Sequence, residues 1–196
     1  MDHTSRAAFK RGGRGAHDRI VAAARVLFYR DGIHPTGVDQ LAEHAHVSKR
    51  TLYKHFSTKD EIVEAYLRDI DATRAVPRER ALSDGDLAAR DRLLAIFAGG
   101  KERRVRGCPF HNAAVETAGK LPEVHDIVEG HKRSFIAQLI DTCAEAGASD
   151  PHELGNQLAV LFEGAAALST TLNDTAPIAS ARSAAAVLVD NATSRA

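Results

Sequence analysis

Several residue types are scarce or missing in this chain, and each absence argues against a class of function. The 196 residues include no tryptophan, and aromatic side chains make up 5% of them, which argues against a large aromatic cage for flat cations. The two cysteines, Cys108 and Cys143, have no metal-binding or redox spacing, which fits a reducing compartment. A redox role for either thiol stays open.

Long apolar segments are also missing. No stretch approaches the roughly 20 consecutive apolar residues that span a bilayer. Residues 1–13, MDHTSRAAFKRGG, contain no apolar core of the kind that a signal peptide requires. We therefore expect a soluble, cytoplasmic protein with no membrane partner.

The motifs of common enzyme and metal sites are not found either. The sequence has no phosphate-binding glycine loop, no nucleophile elbow, and no ordered arrangement of Ser, His and Asp. Ten histidines could suggest a metal, but ligands on one helix face should be three or four residues apart. His125 and His131 are six apart, and His44 and His46 are two apart. We expect no enzyme activity, no cofactor and no metal site.

The most informative segment is residues 37–56, which read GVDQLAEHAHVSKRTLYKHF. Apolar residues at three- and four-residue spacing predict two short amphipathic helices joined by a tight turn. The buried positions would be Val38, Leu41, Ala42, Ala45, Val47, Leu52 and Phe56. Such a hairpin can be purely structural, but polar and basic residues cover the outside of its second helix. This is the pattern of a helix-turn-helix unit, whose second helix reads the major groove of DNA.

The flanking sequence extends this unit. An upstream helix carries Ile20, Leu27 and Phe28 on one face and ends at Asp31-Gly32, where glycine suits a left-handed cap. We expect Thr36 to cap the next helix with Asp39 as its capping-box partner. We also expect Ser57 and Asp60 to repeat the device for a helix that begins near Thr58.

Charge is divided unevenly along a chain whose net charge is zero. Residues 1–60 carry 11 Lys and Arg against 6 Asp and Glu, a net charge of +5, and the remaining residues carry 15 against 20, a net charge of −5. Basic charge therefore concentrates around the predicted DNA-reading unit. A basic end directs that end toward a polyanion.

At this point the residues resemble a known family. The stretch RIVAAARVLFYRDGIHPTGVDQLAEHAHVSKRTLYKHFSTKDEIVEAYL is similar to the N-terminal domain of TetR-type (TetR/AcrR) transcriptional regulators, over about Arg14 to Leu67. The later stretch RGCPFHNAAVE, from Arg106 to Glu116, resembles a segment of one branch of that family. The resemblance implies a homodimeric, all-helical DNA-binding protein, commonly a repressor, whose larger C-terminal domain binds a small molecule.

The candidate DNA-binding residues lie mostly on the second helix of the motif. We expect Arg50, Thr51 and Lys49 to face base edges. The residues expected to hold phosphates are Thr36, Ser48, Tyr53, Lys54, His55 and Lys59. Arg14 is expected to reach the minor groove, while the rest of the basic arm is a tail.

Two residues depart from the pattern of the family. His46 stands in the turn where glycine is common, so we expect a histidine with positive φ at modest cost. Arg50 stands where glycine is also common and adds a long basic side chain near the start of the helix. It can pair with guanine or with phosphate.

After Leu67 the pattern predicts five further helices. The first runs from about Asp86 to Arg104 and is weakened at Gly99-Gly100. The second runs from Pro109 to Ala118, and the third runs from Pro122 to a stop at Gly147. The fourth begins at Pro151 with Asp150 as its cap, and the fifth runs from Pro177 to Asn191. The fold class is therefore all-α. The expected organisation is an arm over 1–13, a helix-turn-helix domain over 14–57, a connecting helix over 58–74, and a C-terminal ligand-binding and dimerisation domain over 75–196.

The last two helices are rich in alanine, which permits close approach between helices. Alanine is also simply a good helix former, but the resemblance favours a homodimer through these helices. Two recognition helices would then read an operator that is an approximate inverted repeat. A small-molecule effector of unknown identity would bind in the middle helices. Its candidate lining residues are Phe97, Phe110, His111, Asn112, Glu116, Phe135 and Phe162. Glu163 is a further acid on an apolar helix.

Two alternatives remain from the sequence. One is a helical small-molecule-binding protein or enzyme that does not use its hairpin on DNA. The other is a ligand-independent activator or organiser of DNA. The sequence does not identify the effector, the operator or the regulated genes.

Overall fold

The computed structural model describes residues 15–73, 76–98 and 106–194, and these ranges contain helices and no strand. The helices are α1 Gly15–Asp31, α2 Val38–His44, α3 Lys49–His55, α4 Lys59–Ala72, α5 Pro77–Arg80, α6 Ala89–Ala95, α7 Pro109–Glu116, α8 Pro122–Glu145, α9 Pro151–Leu172 and α10 Ala176–Thr193. A 3-10 turn, Ala81–Ser83, follows α5. The all-α prediction is confirmed.

The chain divides into two compact units, residues 1–66 and 67–196. Helix α4 crosses the division, so its first residues belong to the first unit and its last turn belongs to the second. The predicted division was a helix-turn-helix domain over 14–57 and a separate connector over 58–74. No described helix has the length and apolar composition needed to cross a membrane.

The first unit is built on the apolar faces that the sequence marks. Ile20, Leu41 and Leu52 are each fully buried, so one side chain from each of α1, α2 and α3 lies in the core. Phe28 meets Tyr66 edge-on at 5.6 Å between ring centroids, which brings α4 onto the same core. Helix α1 ends at Asp31 and is followed by Gly32 with φ of 102°, as predicted.

Two predicted caps are each wrong by one residue. Helix α2 is capped at Gly37, whose N–H donates to Gln40 Oε1 at 2.8 Å. Thr36 lies one residue before this cap, and its hydroxyl donates to Gly32 O at 2.7 Å. Helix α4 is capped by Thr58, whose Oγ1 accepts from Glu61 N at 3.2 Å. The carboxylate of Glu61 accepts in turn from Ser57 N at 2.7 Å. Asp39 and Asp60 therefore do not fill the capping-box positions.

The second unit is formed around α8, α9 and α10. Phe135 of α8 and Phe162 of α9 meet at 5.4 Å, and Phe97 packs edge-on against Phe162 at 5.9 Å. The predicted starts at Pro109, Pro122 and Pro151 are confirmed, and Asp150 Oδ1 accepts from Glu153 N at 3.0 Å as the cap of α9. Gly147, with φ of 81°, follows the end of α8.

Three details of the second unit differ from the sequence prediction. The helix expected from Asp86 begins at Ala89 and ends at Ala95, and Leu87 is exposed outside it. The expected continuation to Arg104, with Gly99-Gly100, falls outside the described residues. The short helical segment over residues 77–83 was not predicted. The apolar residues of α9 include Leu168, and a sequence pattern alone would place it in the core, but it is 49% exposed.

Candidate nucleic-acid interface and effector cavities

Helix α3 is held at its start by a side-chain cap. Ser48 Oγ accepts from Thr51 N at 3.0 Å, which satisfies one of the amides left free at a helix start. Ser48 Oγ and Thr51 Oγ1 also lie 2.8 Å apart and share a hydrogen bond. The two hydroxyls thus position the start of the helix, and Thr51 is half-buried.

The turn between α2 and α3 depends on His46. Its φ is 53°, as expected for this position, and its N–H donates to Glu43 O. Val47 N donates to Ala42 O at 3.0 Å, which completes a helix end of the Schellman type in which glycine usually occupies the left-handed position. Arg19 Nε donates to Ala45 O at 3.1 Å, so α1 also fixes the turn.

Three side chains form an exposed row on α3. Arg50, Tyr53 and Lys54 are all exposed and stand at i, i+3 and i+4, the spacing of one helix face. Leu52, on a different face, is completely buried. The row therefore presents two cations and a phenol while the helix is anchored from behind.

Lys49 is arranged differently from these residues. Its Nζ lies 2.9 Å from Asp39 Oδ1 of α2, and both side chains are largely exposed. The hydrogen bond and attraction to Asp39 raise the pKa of Lys49. The first cation of α3 is thus paired with an acid inside the motif, which the sequence prediction did not include.

Thr36 is buried and bonded within the turn that precedes α2. Its residue is 1% exposed, and its hydroxyl donates to Gly32 O. A phosphate contact by Thr36 stays a prediction, and in this structure the hydroxyl is buried and used within the turn after α1.

The remaining predicted phosphate ligands surround the end of α3. His55 is half-buried and meets His17 of α1 edge-on at 6.4 Å, while His17 stacks on Phe56 at 4.9 Å. Lys59 Nζ donates to His34 O at 3.4 Å. Arg14, predicted to enter the minor groove, lies outside the described residues.

The predicted effector residues separate into a core group and a cavity group. The core group is buried against other helices and consists of Phe97, Phe110 and Phe162. His111, Asn112 and Glu116 of α7 line a cavity of about 270 Å³, which we call the α7–α9 cavity. Val115 of α7 also lines it. Its other walls are α9 and the segment before α7, and they contain Arg106, Gly107, Cys108, Glu163, Ala166, Ala167, Thr170 and Thr171.

An ion pair lies beside this cavity. Lys132 Nζ of α8 is 2.5 Å from Glu163 Oε1, and it donates to Cys108 Sγ at 3.4 Å. Burial raises the pKa of the Cys108 thiol, although Lys132 acts in the opposite direction. Glu163 is therefore paired with a lysine of the neighbouring helix α8. Cys108 and Cys143 are both buried free thiols.

A second cavity, of about 210 Å³, lies beside the last turn of α4, and we call it the α4–α8 cavity. Phe135 is the predicted effector residue that lines it, together with Ile70, Asp71, Val76, Glu79, Arg80, Ser83, His131, Ser134 and Gln138. The cluster of Asp71, Glu79 and His131 was not predicted. No local pattern marks it, because Asp71 and His131 are 60 residues apart.

The alanine-rich helices leave an apolar surface uncovered. Val160, Leu168 and Leu172 of α9 and Val187 of α10 are between 49% and 75% exposed. Gly164 lies between Val160 and Leu168 on α9, and a Cβ there would meet nothing within 4 Å. We call this set of five residues the α9–α10 face. Exposed apolar patches of this kind mark interaction sites.

Comparison with known proteins agrees with this arrangement. Residues 20–66 match the family described as "Bacterial regulatory proteins, tetR family", and residues 87–185 match "Tetracyclin repressor-like, C-terminal domain". The HTH-type transcriptional activator FasR of Mycolicibacterium smegmatis is 40% identical over 63 residues, which are 30% of this chain and 29% of that protein. The match thus spans less than a third of that relative.

Solved structures of regulators resemble the chain over most of its length. A TetR-family transcriptional regulator from Streptomyces coelicolor has a TM-score of 0.79 at 28% identity, over 91% of this chain and 90% of that one. A TetR-type regulator from Streptomyces avermitilis has a TM-score of 0.69 at 29% identity, over 87% and 97% of the two chains.

Proposed function

The chain belongs to the TetR family of bacterial transcriptional regulators, and from this premise we propose that it is a homodimeric repressor that a small molecule releases from its operator. Four parts of this proposal can be tested separately. They are DNA reading by α3, pairing through the α9–α10 face, effector binding in the α7–α9 cavity, and repression.

The exposed row on α3 is the observation that carries the DNA-binding proposal. Arg50 is the longest cation near the start of the helix, and a guanidinium can pair with guanine O6 and N7 in the major groove. Lys54 lies one turn further along, where a point charge suits a phosphate oxygen. Arg50 therefore reads a base in this proposal, and Tyr53 and Lys54 hold the backbone.

Ser48, Lys49, Thr51, His55 and Lys59 have supporting roles in the proposal. Ser48 and Thr51 fix the start of α3 with their hydroxyls. The position of Thr51 relative to a base therefore depends on how α3 lies in the groove. Lys49 must either break its ion pair with Asp39 before it contacts DNA, or contact DNA while it is still paired with Asp39. His55 and Lys59 extend the phosphate-facing surface, and Arg14 is proposed to reach the minor groove.

The test begins with a DNA duplex selected from random sequence by the wild-type protein. We expect an approximate inverted repeat, because a two-fold symmetric dimer presents two copies of α3. Lys54→Ala should weaken binding to all duplexes and lower the slope of log K against log salt by about 2, which is about 1 for each copy of α3 in the dimer. Lys120→Ala, which removes an exposed charge from the second unit, is the control and should change neither quantity. An unchanged salt slope for Lys54→Ala would remove Lys54 from the phosphate contacts.

The α9–α10 face supports the dimer. A chain that leaves Val160 75% exposed and Leu172 58% exposed has an apolar surface typical of an interface. Gly164 adds room for close approach between two copies of α9, since small residues let helix backbones come together. The dimer in turn supplies the symmetry that an inverted-repeat operator needs.

Sedimentation measurements test this pairing. Val160→Glu should produce a folded monomer, because a charge at the centre of an apolar interface would be buried without a partner. Val26→Glu is the matched control, since Val26 is also exposed but lies on α1. A dimer that persists unchanged in Val160→Glu would place the interface elsewhere.

The α7–α9 cavity supports effector binding. Its lining combines small apolar residues with hydroxyl, amide, imidazole and charged groups, and polar groups of this kind orient a ligand in a small-molecule site. Release follows if the effector binds better to a shape of the second unit that does not fit the operator. Helix α4, which carries residues of both units, is the element through which this difference would act.

A melting-shift screen of small molecules tests this part. A genuine effector should raise the melting temperature of the wild type and lower its operator affinity. Ala167→Leu fills the cavity and should abolish both effects, while Ala22→Leu, at an exposed position of α1, should leave them intact. An effector whose shift survives Ala167→Leu would bind elsewhere.

Activation is the second candidate, and the similarity to FasR favours it. That relative is named a transcriptional activator, and the 63 matched residues are 40% identical. In vitro transcription from a promoter that contains the selected operator separates the two. Repression predicts less transcript when the protein is added, and more transcript would establish activation instead.

A further inference from the structure

One buried histidine joins three helices in the second unit. His131 of α8 is 8% exposed, and its Nδ1 lies 2.8 Å from Asp71 Oδ1 at the end of α4. Its Nε2 lies 3.2 Å from Glu79 Oε2 of α5. The ring also stacks on Phe110 of α7, with 3.5 Å between centroids and 10° between planes. We call His131, Asp71 and Glu79 the histidine latch.

The geometry requires a charged ring. An ionised carboxylate only accepts hydrogen bonds, so each ring nitrogen needs its own proton to donate to Asp71 and to Glu79. A neutral imidazole has one N–H and leaves the other nitrogen lone pair facing a carboxylate oxygen. The latch is therefore complete only when His131 is an imidazolium.

The surrounding charges set the pH range in which the latch exists. Burial lowers the pKa of His131 and Lys132 lowers it further, but Glu79 and then Asp71 raise it by more, so its net direction is upward. Arg80 is a further charged group that lines the cavity beside the latch. Because the pKa is raised on folding, the latch stabilises the protein fully below the unfolded value of about 6.5. That stabilisation is lost as the pH rises through the higher folded value.

The histidine latch holds the end of a helix that carries residues of both units. Asp71 stands in the last turn of α4, and α4 begins at Lys59 in the first unit. When His131 loses its proton, the end of α4 loses a charge-assisted hydrogen bond to α8. A connecting helix whose end is less firmly held samples more arrangements, so the arrangement that fits DNA is less populated.

We propose that His131 is a positioning residue that makes operator binding depend on protonation, with tight binding when the latch is closed. This role does not require an effector or the α7–α9 cavity. Histidine is the side chain whose ordinary pKa lies closest to physiological pH, and the raised pKa of His131 moves its change of charge upward from that value.

Operator affinity measured by fluorescence anisotropy at about pH 6 and about pH 8.5 tests the role, since histidine titrates between them. The probe is the duplex selected by the wild-type protein, and no small molecule is added. His131→Gln removes the charge, and His131→Arg keeps it at every pH. His125→Gln makes the same change at an exposed histidine of α8 and is the control.

Between the two pH values, the wild type and His125→Gln should each lose at least about fivefold more affinity than His131→Gln loses. A factor of about five is the low end of the usual coupling between two sites. His131→Gln should bind weakly throughout, and His131→Arg should bind tightly throughout. All four proteins contain the same histidines in the first unit, so the difference between variants isolates His131. Equal pH profiles for the wild type and His131→Gln would overturn the proposal, and this comparison stands even if His131→Arg does not fold.

Amide hydrogen exchange at the end of α4 provides the second measurement. Exchange there, corrected for its intrinsic pH dependence, should be faster at high pH in the wild type and fast at both pH values in His131→Gln. A pH-dependent exchange without any pH-dependent affinity would reduce the latch to a structural contact and overturn its regulatory role. Failure of every variant to bind any selected duplex would contradict DNA binding itself and is thus a distinct result.

Discussion

Replacing Gly155 with alanine should destabilise the second unit, although the same replacement stabilises most helices. Gly155 lies in α9 directly against α8, and a Cβ built there would be 2.6 Å from Ile140 Cγ1. It would also be 3.1 Å from both the N and the Cα of Ile140. Rotation of the Ile140 side chain can relieve the first contact, but the backbone contacts can be relieved only if the two helices separate.

The magnitude follows from two opposing terms. Inserting a methyl group into a packed interior costs about 1–3 kcal/mol, and the upper part of that range applies because backbone atoms are involved. Replacing glycine with alanine inside a helix contributes about 1 kcal/mol of stability. We expect a net loss of about 1–2 kcal/mol, or a fall of about 2–8 °C in melting temperature for a chain of this size.

Gly130→Ala is the matched control. Gly130 lies within α8, and a Cβ there would meet nothing within 4 Å. Only the helix-propensity gain applies, so its melting temperature should rise by about 2–4 °C. Both variants are compared with the wild type by thermal unfolding at one protein concentration, because dimerisation makes the melting temperature concentration-dependent. If Gly155→Ala were stabilised as much as Gly130→Ala, the close contact between α8 and α9 would be refuted.

Three further predictions concern single residues. His46→Gly should stabilise the first unit by up to about 1 kcal/mol in urea unfolding, because a left-handed residue other than glycine costs about 1–2 kcal/mol. Glycine offsets part of this gain, since it loses more backbone entropy on folding. A destabilised variant would contradict the strain at φ of 53°. Asp39→Asn should increase binding to unselected DNA and steepen its salt dependence, because Lys49 then faces phosphates without a competing carboxylate; an unchanged slope would mean that the ion pair does not persist in solution. Burial raises the pKa of the Cys143 thiol to about 12, so a disulfide reagent at pH 8 should modify Cys143 only after unfolding, and rapid modification of the folded protein would exclude that burial.

Prolines at helix starts and residues in tight turns gave the most reliable local predictions. Pro109, Pro122 and Pro151 each stand at the start of the helix that the sequence predicted from them, because proline fixes φ and lacks the N–H that a first helical turn leaves unused. His46 was predicted to have positive φ from its place in the turn, and it does. Such features depend on a few adjacent residues.

Side-chain caps were less predictable because neighbouring residues compete for the same position. Thr36 has the chemistry of a cap, but its hydroxyl donates to Gly32 O, which lies outside α2. Ser57 and Thr58 are equally suitable by type, and the structure uses Thr58. Only the path of the preceding chain decides such cases, and sequence spacing does not contain it.

The lining of the α7–α9 cavity was predicted only in part for a different reason. Aromatic residues on apolar helices attract attention, yet Phe97 and Phe162 fill the core because large apolar side chains gain most from burial. Small residues and hydroxyls such as Ala167 and Thr170 line the α7–α9 cavity. No periodicity distinguishes them from ordinary surface residues of α9. The histidine latch likewise joins residues that are distant in sequence.

Base preference at the operator is the most direct test of the claim that α3 reads DNA. Affinities of the wild type and Arg50→Ala should be compared for the selected duplex and for all single-base replacements made symmetrically in both half-sites. A good bidentate pair discriminates by about 1–3 kcal/mol, so the wild type should show that preference at one position of each half-site. Arg50→Ala should lose it there and keep the preferences elsewhere. If Arg50→Ala retained every base preference and lost affinity equally for all duplexes, Arg50 would contact only phosphate, and the reading of bases by this row of α3 would be contradicted.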